Sequence, residues 1–175
     1  MYFNSFPLIP YDSVGDGEFK VVTNLLKRVA IRQKVKTNVL VFDTYDVRMG
    51  ETPEEIADKL YNDPELHWVV LLMNDITDRY HQWPKTENQF IAHINDKYDD
   101  VNATHHYEIP QTSGDTTIKI DIGTDNTDYP TATVITNYEY EVSEEDRKRK
   151  IRLLDPSYIE DFVSEFKILM KASII

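Results

Sequence analysis

Apolar side chains recur every three or four residues along several segments, a spacing typical of helices with one buried face. The predicted helices cover residues 19–32, 53–61, 64–73 and 86–98, and a last one follows residues 155–156 and carries apolar residues from 159 to 170. Alternating or β-branched residues predict strands at 38–47, 118–122, 131–137 and 147–154. We expect strands 118–122 and 131–137 to pair as a hairpin with a long loop. Residues 138–146 fit either a strand or a helix.

Helix start signals strengthen several of these predictions. Residues 52–55 read Thr-Pro-Glu-Glu, the pattern of a capping box with proline in the first turn. Asp63-Pro64 and Asp155-Pro156 repeat the combination of an N-cap residue and proline, and Thr86 with Gln89 offers another cap. The segment from 66 to 73 is apolar on nearly every side, so we predict that it forms the buried centre of the protein.

The first eleven residues are apolar but contain Pro7 and Pro10, which favour extended backbone. They predict an extended arm that either packs along its own domain or clasps a partner subunit. Its candidate contact residues are Tyr2, Phe3, Phe6, Leu8, Ile9 and Tyr11. Residues 12–18, which include Gly15 and Gly17, predict a turn-rich linker.

The amino-acid composition argues against several classes of function. The chain has 175 residues, and 31 acids against 19 Lys and Arg leave a formal charge of −12, which disfavours binding to a nucleic-acid backbone. Cysteine is absent, which excludes disulfides, thiolate nucleophiles and Cys-ligated metals. No stretch approaches the roughly 20 apolar residues of a membrane helix, so no membrane partner is expected. An apolar fraction of 41% is sufficient for a packed core.

Candidate catalytic and metal-binding groups fit structural roles better. The chain contains no phosphate-binding loop, nucleophile elbow or zinc-protease motif. His105-His106 lies in a segment where adjacent side chains of a strand would point to opposite faces, which is poor chelating geometry. The aspartates at 121, 125 and 128 miss the spacing of a calcium loop, and the acids of 54–58 suit a helix start rather than glycoside hydrolysis. We therefore predict a protein that is not an enzyme and has no cofactor or metal.

Two further segments are candidates for partner binding. Tyr80 and Trp83 fall in a loop predicted over 74–83, where aromatic side chains anchor an interface, stack on a sugar or pack into the core. Residues 147–152 hold five cations, among them Arg147 and Arg149. They form either a docking surface for an acidic partner or a solvated edge that discourages aberrant strand pairing.

Residues 45–75 resemble a LysM module, with a strand, a glycine turn, a capped helix and a second helix ending in Asn74-Asp75. Extended through Tyr80 and Trp83, the segment resembles the baseplate wedge protein 53 family of T-even-type contractile-tailed bacteriophages. The matching motifs are Pro-Glu-Glu at 53–55, the Asn-x-Pro-x-Leu-x-Trp-Val helix at 62–69, Asn-Asp, and the aromatic loop. The strand at 147–154 and the helix that follows resemble the end of the family's chains.

This resemblance implies a structural subunit of the phage baseplate wedge that helps to join neighbouring wedges around the hub. Its expected partners are other wedge proteins in a multi-copy ring, and its expected place is the virion tail, assembled in the host cytoplasm. The expected fold class is α+β, a LysM-like strand-helix-helix core with an extended N-terminal arm, a β-rich insertion and a C-terminal helix. The expected segments are 1–18 (arm and linker), 19–98 (LysM-like core), 99–137 (Thr-rich β insertion) and 138–175 (strand and amphipathic helix).

The LysM resemblance also suggests an alternative function, a peptidoglycan-binding module. A glycan-binding LysM module returns to a second strand that pairs with the first. Here the aromatic loop and a third helix follow instead, and the expected second strand comes much later, near residues 107–109. Peptidoglycan is therefore the less favoured partner.

Overall fold

The structure is a computed structural model that describes residues 2–31, 41–115 and 117–171. Its strands are β1 (Leu8–Tyr11), β2 (Lys20–Thr23), β3 (Phe42–Asp46), β4 (Thr104–Pro110), β5 (Lys119–Asp121), β6 (Thr133–Thr136) and β7 (Lys150–Leu154). Its α-helices are α1 (Pro53–Tyr61), α2 (His67–Met73), α3 (Arg79–Gln82), α4 (Glu87–Lys97), α5 (Asn137–Arg149) and α6 (Ile159–Lys171). Short 3-10 helices cover Tyr2–Ser5, Pro64–Leu66 and Pro156–Tyr158. In the described ranges, no helix combines the length and apolar character needed to cross a membrane.

The mixture of helices and antiparallel strands confirms the α+β class. The chain divides into two compact units, one of Met1–Asp46, Glu51–Arg79 and Ile151–Ile175, the other of Val47–Gly50 and Tyr80–Lys150. The four segments expected from the sequence stay a prediction.

In the first unit, β3 pairs with β7. The Asp155 amide donates to the Val41 carbonyl (3.0 Å) just beyond the strand ends, and α1 and α2 follow β3 directly along the chain. The order is therefore strand, helix, helix and then a strand from far along the sequence. The expectation of a second strand near 107–109 is wrong, because those residues belong to β4, which pairs with β5 and β6. Strand patterns in a sequence identify strands but not their partners.

The helix start signals are confirmed. The Glu55 amide donates to the Thr52 hydroxyl (3.3 Å), and the Thr52 amide donates to the Glu55 carboxylate (2.8 Å). Thr86 and Gln89 form the same reciprocal box at α4. The predicted buried centre is also confirmed, because α2 contributes Val69, Val70 and Met73 at 4% exposure or less. The core cluster around Val69 and Met73 also contains Leu154 of β7.

The helix predicted over 19–32 is wrong. Residues 20–23 form β2, which pairs antiparallel with β1, and residues 24–31 are not helical; Arg32 lies outside the described residues. The β-branched run Val21-Val22-Thr23 favours a strand, and pairing with residues 8–11 decides between the two conformations. The strand predicted over 38–47 is present at 42–46, and its positions 38–40 lie outside the described residues.

The second unit contains a three-stranded antiparallel sheet in the order β5-β4-β6. The predicted hairpin between 118–122 and 131–137 is therefore wrong, since both strands pair with β4 and not with each other. Segment 138–146 belongs to α5, which starts at a capping box of Thr136 and Glu139. Residues 147–149 form the last turn of that helix, so the strand predicted from 147 begins at Lys150.

Candidate partner-binding surfaces

The first residues of the arm are anchored to the first unit by Tyr2. Residues 2–5 form a 3-10 helix, so the expectation of extended backbone fails there and holds at 8–11. The Tyr2 ring lies 5.2 Å from that of Trp68 and stacks on that of Phe166 at 5.5 Å, measured between centroids. Burial raises the pKa of the Tyr2 hydroxyl, an effect that nearby Arg28 opposes. Tyr2 therefore holds the arm in place.

Beyond Tyr2, the arm presents apolar surface. Phe3, Leu8 and Tyr11 are 61%, 67% and 54% exposed, and Phe6 and Ile9 are half-buried. Large apolar side chains rarely remain exposed together on a monomer unless a partner covers them. The candidate contact residues of the arm thus comprise one internal anchor, three exposed side chains and two that are half-buried.

The turn after β1 is organised around the side chain of Asp12. The Asp12 carboxylate accepts hydrogen bonds from the amides of Val14 (3.1 Å), Gly15 (2.6 Å) and Gly17 (2.9 Å). These backbone hydrogen bonds lower the pKa of Asp12, those from Gly17 and Gly15 most strongly. Gly15 and Gly17 have φ of +80° and +84°, the region that glycine adopts without strain. The predicted linker is therefore the connection of a hairpin.

Sequence reasoning missed a second set of exposed apolar residues next to the arm. One of them lies in the segment predicted as a linker and the other four in the segment 19–32 predicted as a helix. More than half of each side chain is exposed in Val14, Phe19, Val21, Leu25 and Leu26. The signal that identifies them is the β-branched run at 21–23, which argues for a strand and so for a different exposed face. Together with residues 2–11 they form the N-terminal hairpin surface, residues 2–26.

The two aromatic candidates of the loop, Tyr80 and Trp83, differ in their exposure to solvent. Tyr80 is 86% exposed on the four-residue helix α3, which interrupts the loop predicted over 74–83. Trp83 is only 6% exposed, so its ring belongs to the interior and contributes no surface for a partner. Tyr80 alone keeps the exposure that an interface anchor requires.

The basic cluster is largely compensated by acids on its own helix. Arg147 bonds to Glu144 (2.5 Å), and the Arg149 guanidinium lies 3.8 Å from the Asp146 carboxylate. The hydrogen bond that Arg147 donates to the Glu144 carboxylate raises the pKa of the guanidinium further. Cations in the last turn of a helix also stabilise it by opposing the helix dipole. Arg147 and Arg149 therefore have structural roles in α5.

Two carboxylates of α5 are buried in ion pairs. Glu145 is 4% exposed and accepts hydrogen bonds from the Lys85 amide (2.8 Å), the Lys85 ammonium (3.0 Å) and the Lys148 ammonium (2.8 Å). Burial raises its pKa, but these donors outweigh burial and the net shift is downward. Glu141, also 4% exposed, pairs with Lys97 (2.5 Å) and accepts from the Tyr98 hydroxyl (2.9 Å). Both carboxylates are ionised and are held by ion pairs and hydrogen bonds. This arrangement is typical of groups that stabilise a fold and not of groups that transfer protons in catalysis.

The acids considered for hydrolysis have structural partners as well. Glu54 pairs with Arg79 (2.6 Å), and Glu55 completes the capping box. Buried Glu51, which sequence reasoning did not single out, accepts from the Tyr45 hydroxyl (2.9 and 3.0 Å) and pairs with Lys59.

The paired histidines do not point to opposite faces as predicted. An irregularity in the register of β4 between Thr104 and His106 brings the Nδ1 atoms of His105 and His106 to 2.8 Å. The His105 ring stacks on Tyr140 at 3.9 Å, and His106 is 7% exposed. Within residues 2–31, 41–115 and 117–171, no group of three or more ligating side chains is arranged to hold a metal ion.

Comparison with known proteins identifies the family. Residues 1–128 match the family described as base plate wedge protein 53. The chain is also similar to baseplate wedge protein gp53 of Enterobacteria phage T4, with 25% identity over 150 residues and 74% of each chain covered. The chain therefore belongs to the base plate wedge protein 53 family, whose members are structural components of the baseplate in bacteriophage tails.

Proposed function

We propose that this chain joins neighbouring baseplate wedges around the hub through contacts with other wedge proteins in a multi-copy ring, without catalysing a reaction. The observation that carries this proposal is the N-terminal hairpin surface. It is fixed at one end by Tyr2 against Trp68 and exposes Phe3, Leu8 and Tyr11. A surface that is both anchored and apolar loses little conformational entropy when a partner covers it.

Two further features support a structural role. The buried carboxylates of α5 are held in ion pairs, and Tyr80 offers a second exposed aromatic side chain. Rings built from repeated units use heterologous contacts, for which a projecting hairpin on one protein and a matching surface on the next are suitable. We propose Tyr80, Arg147 and Arg149 as secondary contacts.

The order of elements in the first unit supports a LysM-like core. A strand, two helices and a strand that pairs with the first are the elements of such a module, and here β7 supplies the last strand. Residues 80–149 of the other unit are then an insertion between the second helix and the last strand.

The test is reconstitution of the full chain with the purified wedge proteins of the same phage, followed by affinity measurement. The double variant Leu8→Ser/Tyr11→Ser is expected to bind at least about tenfold more weakly, because truncation of central aromatic and apolar contacts has effects of this size. Ile118→Ser/Tyr129→Ser is the matched control, since it removes two apolar side chains of similar exposure from the second unit. Equal binding by both variants contradicts the proposal.

The second candidate is peptidoglycan binding, which the LysM-like order of elements favours. Sedimentation with purified peptidoglycan tests it directly. Recovery of the chain in the pellet, without association with wedge proteins, would replace the proposed function by this one.

A further inference from the structure

The two strands of the N-terminal hairpin bury no side chain of their own. Every residue of β1 and β2 is exposed or half-buried. The Asn24 amide donates to the Pro7 carbonyl (2.8 Å) and closes the hairpin at the end opposite its turn. A pair of strands that adds nothing to a core is only marginally stable in water. The contacts made beside the closed end therefore decide how the hairpin is oriented.

Both ends of the hairpin are attached to the same helix. Before β1, the Tyr2 ring stacks on the ring of Phe166 in α6. After β2, the Lys27 ammonium donates to the carbonyls of Leu169 (2.8 Å) and Met170 (2.5 Å). Residues 166 and 170 are separated by about one helical turn. The two attachment points therefore lie close together, near the C-terminal end of α6.

The Lys27 ammonium suits its position at this helix end. The last four carbonyls of an α-helix have no partner inside the helix, and positive charge is favourable beside them. Because α6 ends at Lys171, the carbonyls of residues 169 and 170 belong to this group. The Lys27 side chain is half-buried where it makes the contact. It thus satisfies two carbonyls of α6 and fixes the chain directly after the hairpin.

The chain is held again beyond Lys27, by the side chain of Ile31. Ile31 packs against the core cluster that contains Val69 and Met73. Lys27 lies closer to the closed end of the hairpin than Ile31 does. Loss of the Lys27 hydrogen bonds should therefore let the hairpin pivot about Tyr2, while the packing of Tyr2 and Ile31 keeps the unit folded.

We infer that Lys27 is a positioning residue of the proposed interface: by binding the last turn of α6, it sets the orientation in which the N-terminal hairpin surface is presented to another wedge protein. A surface that is already held in its binding orientation loses less conformational freedom on association, and its affinity is higher for that reason. The inference rests on the proposed function and specifies how its main contact is prepared.

Distances between two spin labels test the positioning. Because the chain has no cysteine, Glu18→Cys in the hairpin turn and Glu165→Cys in α6 provide two unique, exposed attachment sites. With Lys27 present, one narrow distance distribution is expected. Lys27→Met keeps a side chain of similar length but has no donor, so the distribution should broaden. Lys27→Arg restores N–H donors and should make it narrow again.

The affinity of the unlabelled variants for the purified wedge proteins of the same phage tests the consequence. Lys27→Met is expected to bind about tenfold more weakly than wild type, and Lys27→Arg to restore the affinity. Lys167→Met removes an exposed lysine from the same helix and is the matched control. It should change neither the distance distribution nor the affinity.

Two results overturn the inference and leave the proposed function standing. One is an unchanged distance distribution in Lys27→Met, since any loss of affinity would then come from a direct contact with the partner. The other is a broader distribution with unchanged affinity. Failure of the wild-type chain to form any complex overturns both proposals. Slow hydrogen exchange at the Val69 and Val70 amides verifies that Lys27→Met is folded; if it is not, Lys27→Gln, which is too short to reach both carbonyls, replaces it in both measurements.

Discussion

The side chain of Asn74 is hydrogen-bonded to the backbone of Arg152 in both directions. The Arg152 amide donates to Asn74 Oδ1 and Asn74 Nδ2 donates to the Arg152 carbonyl, each at 2.8 Å. Nδ2 also donates to the Val70 carbonyl (2.8 Å), so the amide joins the end of α2 to the middle of β7. Asn74 thus caps the edge of β7 at a place where the described residues supply no further strand, and this accounts structurally for an asparagine directly after the helix.

Asn74→Ala should therefore destabilise the protein. The substitution leaves the Arg152 amide and carbonyl without these partners, and such losses cost about 1–3 kcal/mol in free energy of unfolding. Denaturant unfolding measures the change. Asn95→Ala, at an exposed position of α4, is the matched control and should stay within about 0.5 kcal/mol. Equal effects of the two substitutions would show that the Asn74 bridge contributes nothing.

Trp68→Ala should destabilise more strongly. The indole packs 4.4 Å from the Phe166 ring and 6.0 Å from the Phe162 ring, in addition to Tyr2. Truncation of such an aromatic side chain costs roughly 3–5 kcal/mol, measured as the free energy of unfolding. Trp68→Phe preserves much of the cluster and should cost less. A near-neutral result for Trp68→Ala would instead place the ring at a partner interface.

Local signals in the sequence identify helix starts reliably because the groups that satisfy the backbone lie three residues apart. Thr52 with Glu55, and Thr86 with Gln89, are recognised without knowledge of the rest of the chain. The same locality explains the error at 19–32. The apolar positions there match a helical period by coincidence. Residues 20–23 form a strand because they pair with residues 8–11, which a prediction from neighbouring residues alone does not take into account.

Partners far apart in sequence account for the other misses. Nothing near β3 indicates that its partner is β7, more than a hundred residues later. Burial of the candidate surface residues also depends on contacts that the local sequence does not show. Tyr80 and Trp83 are aromatic residues three positions apart, yet Tyr80 is exposed and Trp83 is buried. Exposed aromatics of an interface and buried aromatics of a core have the same sequence signature.

The buried Glu145 should make stability depend on pH on the acid side. Its folded-state pKa is lowered from a usual value of 4.5, so its contribution to the free energy of unfolding is present above that value. The contribution is lost as the pH falls through the lower folded-state pKa. Glu145→Gln should cost about 1.5–3 kcal/mol at neutral pH, as expected for hydrogen bonds to a charged group. The difference from wild type should shrink in acid.

Urea unfolding from neutral pH down to pH 3 measures this difference. Glu165→Gln, at an exposed position of α6, is the control and should leave the curve nearly unchanged. A constant difference between Glu145→Gln and wild type over the whole range would mean that the carboxylate's charge is not what stabilises the site.

Tyr80→Ala should separate assembly from stability. With 86% of its side chain exposed, Tyr80 contributes little to packing, so the free energy of unfolding should change by no more than about 0.5 kcal/mol. If the ring anchors a wedge protein, its loss weakens binding by about 2 kcal/mol, or roughly thirtyfold. Tyr129→Ala, with 49% exposure in the same unit, should leave binding unchanged. Calorimetric titration with the purified wedge proteins decides: equal affinities for the two variants would remove Tyr80 from the interface and leave the N-terminal hairpin as the principal contact.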